Sequence, residues 1–373
     1  MKIVVVGGGS VGLSSALVCH KAGHAVCVYD PFGFELEAQT DEIDARVWAL
    51  GYRSTALLST LNAWTPDERV CPYQSMHVID ARSDARVTFT DSLLGHLVEA
   101  RWVRNQLLKA IKETTIELVT EPVNTVSETG LVQLDDQEID ADLVIFAEGK
   151  KAQTAIASGF EVIDGGYRQC AVVGTLQSER PHHGQAFQIF TTAGPLALLP
   201  LPDQNNEHRV SLVWSLDLET ASELKSLSAE QLAQELVATS ENVRGQLRFV
   251  GDPLWIPLSQ HCLKQDALGS LLAIGDTAHG ILPLAGLGAN LGFGDVAALK
   301  ETLKRHPNAR GDRIARAVAR ERRFEQRTVA TVMGLFSDGF RSDQPLVQLG
   351  RSFALRTADQ HPMLRSMIQE LAG

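Results

Sequence analysis

Two glycine-rich stretches nearly three hundred residues apart carry the residues best suited to chemistry. The first is Gly7-Gly8-Gly9-Ser10-Val11-Gly12, directly after the apolar run Lys2–Val6. Gly7, Gly9 and Gly12 fit the spacing GxGxxG, and Asp30 closes a second strand-like run, 25–29. Such glycines allow a tight turn and a close approach of backbone to a pyrophosphate, while the acid accepts ribose hydroxyls. The second stretch, 275–290, reads GDTAHGILPLAGLGAN and lies between the apolar run 271–274 and a helix-like run from Leu291 to Leu303. Asp276 falls at the strand end, where a carboxylate can bond a polyol chain. Pro283, Gly286 and Gly288 let the backbone run flat beside a planar ring. A helix opening near Ala289-Asn290 directs its positive end at the pyrimidine edge of a reduced, anionic ring. A ligand with both a diphosphate and a polyol is FAD; NAD lacks the second feature.

The elements that must position these residues follow from periodicity. Lys2–Val6, a helix over 13–22 ended by Gly23, and the strand 25–29 make one βαβ unit. Residues 41–62 read as helical, with Leu50, Leu57, Leu58 and Leu61 on one stripe. A helix over 101–113, short strands between 116 and 134, and the apolar run 141–147 continue the same domain. Between 165 and 260 the strand-like runs 171–176, 186–190, 196–199 and 210–214 are separated by Gly, Pro, Asn and His, the pattern of an antiparallel sheet. The chain then returns to strand-then-helix, and from Asp312 onward it reads as helical. The expected fold is α/β: a discontinuous Rossmann-like FAD-binding domain (1–70, 94–164 and 262–311), an inserted antiparallel-sheet substrate domain (71–93 and 165–261) and C-terminal helices (312–373).

Composition excludes several classes. The 373-residue chain has a formal net charge of -11 at pH 7, which disfavours general nucleic-acid binding. No run of eighteen apolar residues occurs, so no spanning helix is expected. Residues 1–6 read as a buried strand rather than a secretory core. Cys19, Cys27, Cys71, Cys170 and Cys262 are scattered without a CxxC pair, as expected of reduced thiols in a cytoplasmic protein. His182-His183 and His261 lack partners at metal-ligand spacing and read as surface or loop residues, with no metal expected. Residues 300–373 are basic, with 14 Lys and Arg against 8 Asp and Glu. An Arg-rich stretch (315–327) precedes an apolar one (329–340). This pair is a candidate for contact with an inner-membrane surface, for packing on the body, or for a homo-oligomer interface.

The stretch GDTAHGILPLAGLGANLGFGD resembles the FAD loop of class A flavoprotein monooxygenases, and most of all the ubiquinone-biosynthesis hydroxylases, with their para-hydroxybenzoate-hydroxylase-like fold. The resemblance runs along nearly the full chain. Asp44-Ala45-Arg46-Val47 is similar to the family's arginine-bearing helix, 93–99 to its re-entry into the cofactor domain, 194–201 and 211–215 to its sheet domain, and Arg322-Arg323-Phe324-Glu325 to the start of its C-terminal helices. By this resemblance Arg46 and Arg101 lie near the flavin or its phosphates. The implied activity is hydroxylation of a phenolic, prenylated ubiquinone precursor by O2 and NADPH or NADH through a flavin C4a-hydroperoxide. The implied partners are that aromatic molecule, O2 and a ubiquinone-biosynthesis complex. The substrate wall is expected from Phe187, Phe190, Leu199, Trp214 and Pro283. One segment departs from the family: Ala147-Glu148-Gly149-Lys150-Lys151 stands where an Asp-Gly followed by Ser and Arg is usual. That departure touches nicotinamide handling and leaves open a non-hydroxylating flavoprotein.

Overall fold

The computed structural model describes residues 1–38, 43–83, 85–166, 169–280 and 287–323. Two large sheets organise it. The first has six strands in the order Ala267–Leu268, Leu271–Ala273, Leu143–Phe146, Lys2–Val6, Ala25–Tyr29 and Glu117–Val119. All neighbours are parallel except the first pair. Its central strands are continuous apolar runs because both faces are covered. Ile3 and Val5 pack beneath the helices Ser10–Lys21, Ala100–Lys112 and Leu287–Arg305, while Val4 and Val6 face Val126, Val132, Phe146 and Phe160 on the other side.

The second sheet has eight strands in the order Leu247–Leu258, Gln169–Ser178, His208–Asp217, Pro195–Pro200, Gln185–Phe190, Cys71–Asp80, Ala85–Glu99 and Val47–Leu50. It is antiparallel apart from Gln185–Phe190 beside Cys71–Asp80. Period-2 alternation divides its residues. Val172, Leu176, Leu196, Leu198, Val210, Leu212, Trp214 and Leu216 form one core with Ala221, Leu232 and Leu236 of the helices Leu218–Lys225 and Ala229–Thr239. The intervening Ala171, Val173, Ala197, Leu199 and Val213 pack on the opposite face. Both helices start firmly: Asp217 accepts the Thr220 N–H at 2.9 Å, and Ser228 and Gln231 form a capping box.

The region 41–62 differs from its sequence reading. Val47–Leu50 is a strand paired with 96–99, Gly51 breaks it, and only Tyr52–Thr60 is helical. The leucine stripe still holds, since Leu50, Leu57, Leu58 and Leu61 are all buried in one core. Val47 and Trp48 favour an extended chain, and pairing with an available sheet edge overrides the helical pattern. Residues 311–323 are helical and carry most of the expected Arg-rich stretch; its end, 324–327, and the apolar stretch 329–340 lie outside the described residues.

Candidate functional site

Ligands of open α/β sheets bind at the carboxyl ends of the strands, where the strand order reverses. Four strand ends meet here. Val6–Gly9, Tyr29–Asp30, Ala147–Gly149 and Ile274 with Asp276 all line one cleft of about 1340 Å³. That exceeds the ordinary range for a single small ligand, ~300–1,000 Å³, and leaves room for a dinucleotide and a substrate together.

The three motif glycines are there for different reasons. Gly7 has φ +111°, and a Cβ on it would collide with the Ala147 carbonyl. A Cβ on Gly12 would collide with the Gly7 carbonyl oxygen, and Gly12 lies behind the cleft rather than on it. Gly9 meets no protein atom within 4 Å of a Cβ position and lines the cleft. Its missing side chain leaves room for a ligand rather than for the fold. Gly9 is also the N-cap of Ser10–Lys21 and supplies no side-chain cap, so the helix begins uncapped at the cleft, where Ser10 and Val11 also line it. Asp30 fixes this turn, taking the Gly8 N–H on Oδ2 at 2.5 Å and the Phe32 N–H on Oδ1 at 2.8 Å.

The distal loop supplies the opposite wall. Gly275–Thr277 is a single 3-10 turn that carries Asp276 into the cleft, where its carboxylate accepts no hydrogen bond from any described residue. Behind it, fully buried Asp295 takes the Gly275 N–H at 2.9 Å, His279 Nε2 at 2.6 Å and Arg322 Nε at 2.7 Å. Burial disfavours the charged form of both His279 and Asp295, but their mutual attraction prevails: His279 is raised above its ordinary value, and Asp295, with Arg322 also helping, is held well below the usual carboxylate range. His279 is therefore structural, its ring bonded to a buried carboxylate. Gly288 lines the cleft with Ala289 and Phe293. Asn290 does not: its side chain donates to the Ala49 carbonyl at 2.7 Å and accepts from Ser54 Oγ at 2.6 Å and the Gly51 N–H at 3.2 Å, tying its helix to the 47–60 segment. Pro283 and Gly286 lie outside the described residues.

The arginines divide. Arg46 lines the cleft at its rim, 64% exposed and 3.7 Å from Asp44. Arg101 is turned away into an ion pair with Glu99 at 2.9 Å, and Glu99 also holds Arg69 at 2.6 Å. The cleft arginine on that helix is Arg104, one turn on, which sequence reasoning passed over. Its Nε, Nη1 and Nη2 donate to the carbonyls of Gly8, Glu35 and Gly33 at 3.2, 3.0 and 2.9 Å. Three backbone partners on distant loops leave no motif to read. Glu148 lines the cleft but turns back, accepting the Thr154 and Ala155 N–H groups at 3.0 and 2.7 Å and capping the short helix Gln153–Ala157. Lys150 and Lys151 line the cleft beside it.

The remaining wall is the sheet. Ala171, Val173, Ala197, Leu199, Val213, Ile256 and Leu258 present an apolar surface to the cleft, which Trp48 and Phe293, meeting edge to face at 6.3 Å, also line. Among the described residues expected in this wall, only Leu199 lines the cleft; Pro283 lies outside them. Phe187 and Trp214 are buried in the core on the sheet's other face, and half-buried Phe190 packs on a separate cluster with Val78 and Phe89. A one-residue error in parity moves a side chain to the opposite face. His261, read as a surface or loop residue, is a buried strand residue. Among the described residues no group of three or more His, Cys, Asp or Glu is placed to hold a metal.

The donor set fits FAD: an open cradle at Gly9 before a helix N-terminus, a strand-end acid at Asp30, and an unbonded carboxylate at Asp276 across the cleft. A family model described as an FAD binding domain matches residues 96–332. A ubiquinone hydroxylase of Rhodospirillum rubrum is 30% identical over 81% of this chain and 72% of its own. The 3-demethoxyubiquinol 3-hydroxylase of Escherichia coli is 30% identical over 98% of this chain and 96% of its own. In fold alone, a flavin-dependent brominase superposes with a TM-score of 0.74 at 14% identity, covering 100% of this chain and 93% of the brominase.

Proposed function

Since the chain belongs to the ubiquinone-biosynthesis hydroxylases, a family of FAD-dependent aromatic monooxygenases, we propose that it hydroxylates the ring of a phenolic, prenylated ubiquinone precursor using O2 and NADPH or NADH. The observation that carries this reading is the apolar sheet wall facing the cofactor end of one cleft. Bound FAD supplies the reducing and oxygen-activating chemistry. The chain's own residues do the positioning. The Gly7–Gly12 turn and the N-terminus of Ser10–Lys21 hold the diphosphate, and Asp276 holds the ribityl chain. Trp48, Phe293 and the surface made by Ala171, Val173, Ala197, Leu199 and Val213 exclude water and orient an apolar ring. None of these wall residues is titratable, so the substrate phenol is oriented by shape and exclusion. The relatives at 30% identity are named for ubiquinone and demethoxyubiquinol hydroxylation, which supports the substrate class.

The test is NADPH or NADH oxidation by the purified, FAD-loaded protein with and without phenols and prenylated phenols. Stimulation accompanied by hydroxylated product is expected. Bound flavin whose reduction no phenol accelerates would overturn the reading. That second outcome would favour a non-hydroxylating flavoprotein, a reading supported by Glu148, whose carboxylate is engaged as a helix cap instead of facing a ligand.

A further inference from the structure

Asp30 is followed by Pro31-Phe32-Gly33-Phe34, and the two phenylalanines behave oppositely. Phe34 lies inward, its Cε1 2.7 Å from where a Cβ on Gly8 would sit. Phe32 is 95% exposed, yet it lines the cleft. Gly33, at φ +79°, makes the reversal that separates them. Exposed aromatics are commonly carried by slack loops, but this one is tied at three points. Asp30 Oδ1 takes the Phe32 N–H at 2.8 Å, and Arg104 donates to the Gly33 and Glu35 carbonyls at 2.9 and 3.0 Å. The third Arg104 bond, to the Gly8 carbonyl at 3.2 Å, fastens the same loop to the phosphate turn. A large apolar face is thus held rigidly in water at a fixed distance from the anion site.

Position identifies what it is for. With the diphosphate at the N-terminus of Ser10–Lys21 and the ribose on the acid ending the second strand, the base of a dinucleotide lies beyond that acid. Phe32 stands two residues beyond Asp30. Pro122, Val123 and Asn124 line the same cleft just after the strand Glu117–Val119, whose Val119 carbonyl accepts the Asp30 N–H at 3.1 Å. We propose that Phe32, on the loop that Arg104 and Asp30 tie down, is the adenine-stacking residue of the cofactor site. Stacking covers the exposed ring and needs no side-chain hydrogen bond to the base, which matches an aromatic at this place. The proposal rests on FAD binding and is independent of whether a phenol is hydroxylated.

The test compares flavins on the full-length chain, depleted of FAD and titrated by flavin fluorescence. Phe32→Ala should weaken FAD on the order of tenfold, the effect of one base–aromatic stack, and Phe32→Tyr should restore it to within about threefold of the parent. Because the ring is exposed, the melting temperature of the flavin-free protein should not move, which separates a binding loss from a folding loss. An unchanged FAD affinity in Phe32→Ala, or a Phe32→Leu variant that binds FAD as tightly as Phe32→Tyr, would overturn the proposal. Failure of phenol-stimulated turnover would leave this difference intact, so the two readings fall separately.

Discussion

The two walls of the cleft are specified by different kinds of information. The cofactor wall is made by backbone geometry at strand ends: a glycine turn, one acid on either side, and helix N–H groups. The sheet wall is made by parity, because the same strands that send Leu212 and Trp214 into a helix-covered core send Val213 into the cleft. A motif's meaning travels with its spacing, whereas parity is settled only once register is known. One wall can therefore be read along the chain, and the other must be seen.

The sharpest way to break this distinction is at neighbouring residues on one strand. Trp214→Ala should cost about 3–5 kcal/mol of stability through the cavity it leaves, with substrate affinity unaffected in the protein that remains folded. Val213→Asn should cost about 1 kcal/mol of stability and raise the KM for an apolar phenol. Chemical denaturation beside steady-state kinetics distinguishes the two, and equal effects of both variants on KM would dissolve the assignment of faces.

The cofactor wall permits a matching contrast. Gly12→Ala forces a Cβ against the Gly7 carbonyl and should destabilise by about 2–3 kcal/mol. Gly9→Ala meets no protein atom, so it should leave unfolding unchanged while weakening FAD by about tenfold. Thermal melts of the flavin-free forms and FAD titrations report the two quantities separately. Asp276→Ala should lose FAD by about tenfold or more through the missing ribityl bonds, and full flavin occupancy in the purified variant would contradict the loop's placement.

The smallest effect is a pH dependence. His279 is raised by Asp295, so its contribution is complete below its ordinary value of 6.5 and is lost as pH rises through the higher folded value. Asp295 is depressed, so its contribution is present above its ordinary 3.8 and is lost only in strong acid. The brace beneath Gly275 and Asp276 should weaken first on the alkaline side. A shallow fall in Tm with rising pH is expected, and His279→Gln should flatten it. A fall equally steep in His279→Gln would assign it to other groups.

How much was legible follows the same division. Gly7, Gly9, Asp30, Asp276 and Gly288 were readable because each follows a strand or opens a helix at fixed spacing, and all five line the cleft. The strands between 169 and 217 were readable from the change in pattern near residue 165; that Val47–Leu50 joins the same sheet was not. On 208–217 Val210, Leu212, Trp214 and Leu216 alternate with Arg209, Ser211, Val213 and Ser215, but both faces are buried and nothing in the alternation says which of them meets the cleft. Arg101 came from the family resemblance and Arg104 was passed over; nothing local separates two arginines one turn apart, whereas a buried Glu99 claims one and three distant carbonyls claim the other. Asn290 carried the right chemistry at the wrong distance, its amide being engaged by 49–54.

The most direct measurement of the whole account is the visible absorption spectrum of the purified protein, titrated with a prenylated phenol. Oxidised-flavin bands in the protein as isolated, shifted saturably by the phenol and shifted only at higher concentrations in Val213→Asn, are the predicted result. An absence of flavin bands after FAD loading, or bands that no phenol perturbs, would contradict the joining of a flavin cradle and an apolar ring site in one cleft.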